Sequence, residues 1–211
     1  MLISKPEMKS MFHKVAELWA ENKDYLSQID SKFGDGDHGV TIGKISALIE
    51  RKLSEWEDES MASFVMDLGD ETMEIGGGSA GPLYGTMIGG MGEALEDMDS
   101  VDSDGLVSML KGSLEAMEDI TTAKVGDKTM MDALIPAVEA AVAASQAGGD
   151  VMAVLTAAKE AAVKGAKESE QYISKFGRAR SYKEQTIGTP DAGAVSTSLL
   201  FVGLCDGFRE S

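Results

Sequence analysis

Ser4-Lys5-Pro6-Glu7-Met8-Lys9-Ser10-Met11-Phe12-His13-Lys14-Val15-Ala16-Glu17-Leu18-Trp19 carries the period that recurs along the whole chain. Its apolar residues at 8, 11, 12, 15, 18 and 19 recur at steps of three and four, which gathers them on one face of a helix. Ser4 followed three positions later by Glu7 is a capping-box pattern, and Pro6 suits a first turn, where no intrahelical partner needs its missing N–H. The same period returns in Ile42, Ile45, Leu48, Ile49, Leu53 and Trp56, and again in Met61, Phe64, Val65, Leu68 and Met73. It continues in Leu83, Met87, Ile88, Met91 and Leu95, then in Leu106, Met109, Leu110 and Met117, with Ser103 as the expected cap of the last. From Ala133 to Ala166, thirteen of thirty-four residues are alanine, and Gly148-Gly149-Asp150 reads as a stop followed by a new cap, so two helices fit there. A final helix is expected from near Asp191 through Val195, Leu199, Leu200 and Phe201. No apolar and polar alternation bounded by hairpin turns competes with this pattern. The reading is all-α, about eight helices in one domain spanning residues 1–211, with the fourteen methionines as adaptable core filling.

Composition narrows the function. A chain of 211 residues can bury an ordinary core without disulfide or metal staples. Its net charge of −17 repels nucleic acid and anionic lipid, so neither is an expected partner. A phosphorylated ligand must then be held by bound cations, helix N-termini or a few placed basic residues. The single cysteine, Cys205, follows the apolar run Leu199 to Leu204, which points to a buried thiol in a reducing compartment. Only His13 and His38 accompany it, too few for a structural zinc site. The start, Met1 to Pro6, lacks the apolar stretch of a signal peptide and no run reaches membrane-spanning length, so a cytoplasmic protein is expected.

Glycine and polar residues break the helical pattern in a few places, where a helical protein would put a ligand. In Asp30-Ser31-Lys32-Phe33-Gly34-Asp35-Gly36-Asp37-His38-Gly39, three carboxylates fall within eight positions. Their mutual repulsion is relieved by solvent or by a bridging cation, and magnesium is the economical choice. Gly34-x-Gly36-x-x-Gly39 matches a dinucleotide fingerprint in letters, but no apolar strand precedes it. As a calcium hand starting at Asp35 it fails, because Ser46 stands where a bidentate Glu is required. Gly39-x-x-x-Gly43-Lys44-Ile45 is one residue short for a phosphate loop. The second break, Gly76-Gly77-Gly78-Ser79-Ala80-Gly81-Pro82, runs into a helix and offers backbone amides to an anion. Beyond Gly126-Asp127-Lys128-Thr129-Met130, with Thr129 cap-like, the last break holds Gly177-Arg178-Ala179-Arg180 and Pro190-Asp191-Ala192-Gly193. There Arg178 or Arg180 could neutralise phosphoryl oxygens, and Asp191 could cap a helix or bond a ribose or base.

Taken in order, Gly-Asp-Gly-Asp-His-Gly at 34–39, Ser-Ala-Gly-Pro-Leu-Tyr-Gly-Thr at 79–86, Gly-Asp-Lys-Thr-Met at 126–130, Gly-Arg-Ala at 177–179 and Pro-Asp-Ala-Gly-Ala at 190–194 resemble the nucleotide-binding L subunit of dihydroxyacetone kinase. The resemblance implies a barrel of eight antiparallel amphipathic helices with the nucleotide at one end. It implies that Asp30, Asp35 and Asp37 hold two magnesium ions bridging the phosphates of ADP or ATP. It places His38, Gly39, Val40, Thr41, Ser79, Ala80, Thr121, Met130, Arg178, Asp191, Ala192 and Gly193 about the nucleotide, with Arg178 also serving the transfer. In the family, Asn commonly stands at the position of Thr41 and Gly near that of Thr121.

The resemblance also implies partners. The sugar sits on a separate K subunit, so this chain alone should be inactive, and His38 has a hydrogen-bonding or nucleotide-contact role. Either ADP stays bound and is rephosphorylated by an M subunit of the sugar phosphotransferase system, or ATP exchanges as a substrate; a freestanding L part favours the relay. Nucleotide-loaded partnership with a transcription regulator is a nonenzymatic alternative within the family. Fatty-acid kinases carry a similar helical domain, but with Thr where His38 stands.

Overall fold

The computed structural model describes residues 2–95 and 98–211, so Met1 of the N-terminal segment lies outside the described residues. Among the described residues eight α-helices follow one another: α1 (Lys5–Asp30), α2 (His38–Glu55), α3 (Met61–Met73), α4 (Ala80–Glu93), α5 (Ser103–Ile120), α6 (Met131–Gln146), α7 (Val151–Glu168) and α8 (Ala192–Glu210). Two 3-10 segments, Ser169–Gln171 and Arg178–Thr186, lie between α7 and α8. Among the described residues the extended backbone pairing is one isolated bridge, Ile3 with Val101, which ties the chain's start to the connection before α5.

Sequence-local signals start most of these helices. The Glu7 carboxylate accepts the Ser4 N–H at 2.9 Å, completing the capping box of α1. Ser60 caps α3 and Asp150 caps α7, each side chain accepting the backbone N–H three residues on. For α5 the expectation needs correction. Asp102 is the cap, its carboxylate accepting the Gly105 N–H at 2.9 Å, and Ser103 is already helical. A carboxylate at this end also meets the helix dipole favourably, which a hydroxyl does less well.

Each helix packs against its chain neighbour, and α1 packs extensively against α8, so the up-and-down succession closes into a barrel around one core. Most of the predicted stripe residues face inward, but Met73, placed in the α3 stripe, is exposed at the helix's last turn, and Leu18 and Leu83 are half-buried. Met8, Met11, Phe12, Val15 and Trp19 of α1 meet Leu200, Phe201 and Leu204 of α8 within that buried set. Phe12 contacts Phe64 edge-on with centroids 6.0 Å apart, and Trp56 stacks on Phe64 at 3.9 Å. Nine methionines, at 8, 11, 61, 87, 91, 109, 117, 130 and 131, are buried in the core, as core filling requires, while Met66 and Met73 are exposed. Cys205 is buried and unpaired with any other cysteine. No helix of the described residues is long and apolar enough to cross a membrane.

Ring topology has a direct consequence for function. In an up-and-down ring, alternate connections lie at the same end. The α1–α2, α3–α4, α5–α6 and α7–α8 connections therefore share one end, and they contain all the glycine-rich breaks singled out in the sequence.

Candidate functional site

That end of the barrel encloses a cavity of about 310 Å³, walled by residues of all four connections. The N-termini of α2, α4, α6 and α8 point into this end. At the opposite end α1, α3, α5 and α7 all carry side-chain caps or a capping box. At the cavity end Asp37, Ser79 and Met130, which precede α2, α4 and α6, do not cap their helices with their own side chains, whereas Asp191 caps α8, accepting the Ala194 N–H at 2.8 Å. Of these starts α4 alone meets no side-chain acceptor among the described residues, since Asp30 accepts the His38 N–H of α2 at 3.4 Å and Thr129 accepts the Met131 N–H of α6 at 3.2 Å, so α4 offers its backbone N–H groups and positive dipole end to an anion.

Carboxylates converge beside these ends. Asp30 is the last residue of α1, Asp35 lies in the following turn and Asp37 precedes α2, and one oxygen from each lies within 4.8 Å of the others. Asp30 Oδ2 accepts the Gly36 N–H at 2.9 Å and the His38 N–H at 3.4 Å, which folds the loop back over the end of α1. Burial raises the Asp37 carboxyl above its ordinary pKa, and the neighbouring Asp35 and Asp30 charges push it further. Among the described residues the cation paired with the trio is Arg178, whose Nη1 lies 2.7 Å from Asp35. That guanidinium is 70% exposed, so the pair is worth little and leaves most of the negative charge uncompensated.

The glycine-rich turn forms the facing wall. Gly78 has φ of +70°, and a Cβ there would stand 3.2 Å from Asp37 Oδ2, inside the space next to the carboxylates. A side chain at 78 would be strained and would crowd that space. Thr41 donates its hydroxyl to the Gly77 carbonyl at 2.9 Å and Lys44 donates to the Gly76 carbonyl at 2.9 Å, so α2 anchors the turn.

Behind the carboxylates is a buried polar chain. His38 Nε2 is 2.8 Å from Ser196 Oγ, and the Tyr84 hydroxyl is 2.6 Å from the same oxygen and 2.9 Å from Thr197 Oγ1. Burial drives the His38 pKa down to about 4, so the ring is neutral at pH 7 despite nearby Asp30. Burial raises the Tyr84 phenol and lifts Asp191 to about 7. Lys128, only 4% exposed, donates Nζ to the Ser169 and Thr189 carbonyls, each at 2.5 Å, and burial lowers its pKa.

Of the residues expected at the site, Asp30, Asp35, Asp37, His38, Ser79, Ala80, Met130, Arg178, Asp191, Ala192 and Gly193 line this cavity. Gly39, Val40, Thr41 and Thr121 are not among the lining residues. Val40 is exposed, Thr41 reaches the site only through Gly77, and Thr121 ends α5, accepting the Ala123 N–H at 3.2 Å. Sequence reasoning left unassigned Tyr84, Lys128, Leu83, Phe33 and Phe176, which also line it. Tyr84 and Lys128 stand inside two of the quoted motifs, and a lysine between Gly126 and Thr129 in a helix break was the available signal.

A closed helical barrel with an acidic, cation-fitting pocket among helix N-termini is the class that this geometry defines. The family model described as the DAK2 domain matches residues 32–206, and the chain belongs to that family, as a DhaL-type subunit. It is 33% identical over 181 residues to the PEP-dependent dihydroxyacetone kinase 1 ADP-binding subunit DhaL of Listeria innocua, covering 86% of this chain and 85% of the relative. It is 31% identical over 192 residues to the L-erythrulose 1-kinase of Mycolicibacterium smegmatis, covering 89% of this chain but 33% of that protein. The crystal structure of the native dihydroxyacetone kinase of C. freundii superposes with a TM-score of 0.74 at 26% identity, covering 98% of this chain and 36% of that one. The chain therefore spans about a third of the length of the last two.

Proposed function

We propose that the protein is the nucleotide-binding phosphoryl-transfer subunit of a kinase for dihydroxyacetone or a related short ketose. The observation that carries this reading is the convergence of Asp30, Asp35 and Asp37 at the end of the barrel where four helices start, beside an α4 N-terminus that no side chain caps. The donor set fits magnesium: three carboxylates, one exposed guanidinium, and a space that Gly78 leaves free of any side chain. Two magnesium ions held by the three aspartates would supply charge neutralisation to the phosphate oxygens. The chain's own residues do the rest. The N–H groups of Ser79 and Ala80 at the start of α4 seat phosphate oxygens, Arg178 meets the transferred group at the exposed mouth, and Phe33, Leu83, Met130 and Phe176 supply apolar wall for a base. Neutral His38 holds the polar chain through Ser196 rather than carrying charge into the site.

In this proposal ADP is a resident relay, rephosphorylated by a phosphotransferase-system M subunit and passing phosphate to sugar on a K subunit in the cytoplasm. Likeness to the Listeria ADP-binding subunit over most of both chains supports the relay. Likeness to the L-erythrulose 1-kinase supports the second reading, exchange of ATP in a ketose kinase. Titration calorimetry of the full chain with ADP and magnesium tests the site. Asp35→Asn and Asp37→Asn should each weaken binding by about tenfold or more, because each removes an anionic ligand. Equal affinity in wild type and both variants overturns the metal assignment. Native mass spectrometry of the purified protein separates relay from exchange, since a retained ADP is expected only of the first.

A further inference from the structure

Four of the nineteen basic residues, Lys175, Arg178, Arg180 and Lys183, fall within nine positions that contain no acid, in a chain whose net charge is −17. The fold gives them different tasks. Arg178 turns inward to Asp35, and Lys175 pairs with Asp127 at 2.5 Å. Arg180 and Lys183 are exposed and form no ion pair among the described residues. With Thr122, Lys175 and the Asp127 that Lys175 pairs with, they border a second, open concavity of about 760 Å³, which keeps two uncompensated cations. Ser174, Phe176 and Gly177 wall both hollows, so the basic one lies directly outside the acidic one, across a shared ridge.

A polyanion approaching this protein meets a repulsive field from almost every direction. Cations concentrated at one concave approach reverse that field locally and raise the encounter rate. We propose that Arg180 and Lys183 form an electrostatic guide that receives the polyphosphate of a nucleotide in the outer hollow and directs it over the ridge to the carboxylate site. This rests on the nucleotide reading above. A guide acts on the encounter and not on the bound state, so it sets the association rate and its salt dependence while leaving dissociation unchanged.

Stopped-flow binding of a fluorescent ADP analogue with magnesium to the full chain tests this, with the double variants Arg180→Gln/Lys183→Gln and Arg180→Glu/Lys183→Glu. Both positions are exposed, and unchanged helical circular dichroism checks that the fold is retained. At about 20 mM salt association should slow about tenfold in the glutamine pair and further in the glutamate pair. Near 1 M salt, where screening acts within about 3 Å, the differences should shrink to about twofold or less. Dissociation rates should match the wild type throughout. A wild type that binds while both variants associate equally fast overturns the guide alone, as does faster dissociation with unaltered association, which would make these contact residues. A wild type that binds no nucleotide overturns the underlying reading and the guide with it.

Discussion

His38 and Asp191 border one cavity and respond to pH in opposite ways. His38 titrates near 6.5 when unfolded and near 4 when folded, so between those values the unfolded chain holds the extra proton and stability rises with pH. Asp191 titrates near 3.8 unfolded and near 7 folded, so over that interval the folded chain holds the extra proton and stability falls with rising pH. The two slopes oppose each other from about pH 4 to 6.5. Removing either group should expose the other. In buffer free of divalent cations, Asp191→Asn should make the change in stability with pH more positive than wild type, and His38→Asn more negative, each by about 1 kcal/mol per pH unit between pH 5 and 6. Urea midpoints at several pH values measure this, and parallel curves for all three proteins would refute the assignment. The sequence presents both residues in plain motifs. It does not show that a histidine beside three aspartates is neutral, because desolvation outweighs the neighbouring charge only once α8 and Tyr84 are packed against the ring.

At the scale of elements, α4 shows how neighbouring glycines can differ. A Cβ on Gly90 would stand 2.5 Å from the Gly112 carbonyl oxygen and 2.7 Å from Ala116 Cβ, both on α5, whereas a Cβ on Gly89 meets nothing within 4 Å. Gly90→Ala should therefore destabilise by about 1–3 kcal/mol through overpacking. Gly89→Ala should stabilise by about 0.5–1 kcal/mol by reducing the freedom of the unfolded chain. Denaturant unfolding of the two single variants decides, and equal effects would mean that α4 and α5 are not packed this closely. The eight glycines of residues 76–92 point to close approach in the sequence, but which of them touches a partner depends on how α4 is rotated against α3 and α5. The stripes, the capping box at Ser4 and the stop and cap at 148–150 were readable because each is complete within one or two turns. The exact cap of α5 was not, since Asp102 and Ser103 are both competent and only backbone direction separates them.

For the whole molecule, the charge of −17 is a standing repulsion that folding concentrates. Raising monovalent salt from about 20 mM to about 500 mM shortens the screening length severalfold and should move the urea midpoint upward. An unchanged midpoint would show that the acids are too dispersed to oppose folding. The same charge makes the location of the few cations consequential, and that location is a product of topology.

Legible without any tertiary information are the helical character of the chain, roughly where each helix begins, which face of each is buried, and which loops carry carboxylates, glycines and arginines. All of these depend on residues within a few positions of one another. Packing between distant segments brings the four glycine-rich connections to one end, leaves the start of α4 there without a side-chain acceptor, and puts Lys128 and Tyr84 in the cavity while Thr121 lies outside its lining. The closure of α1 on α8 sets which distant segments become neighbours, and the burial that follows sets their protonation. Local periodicity encodes neither.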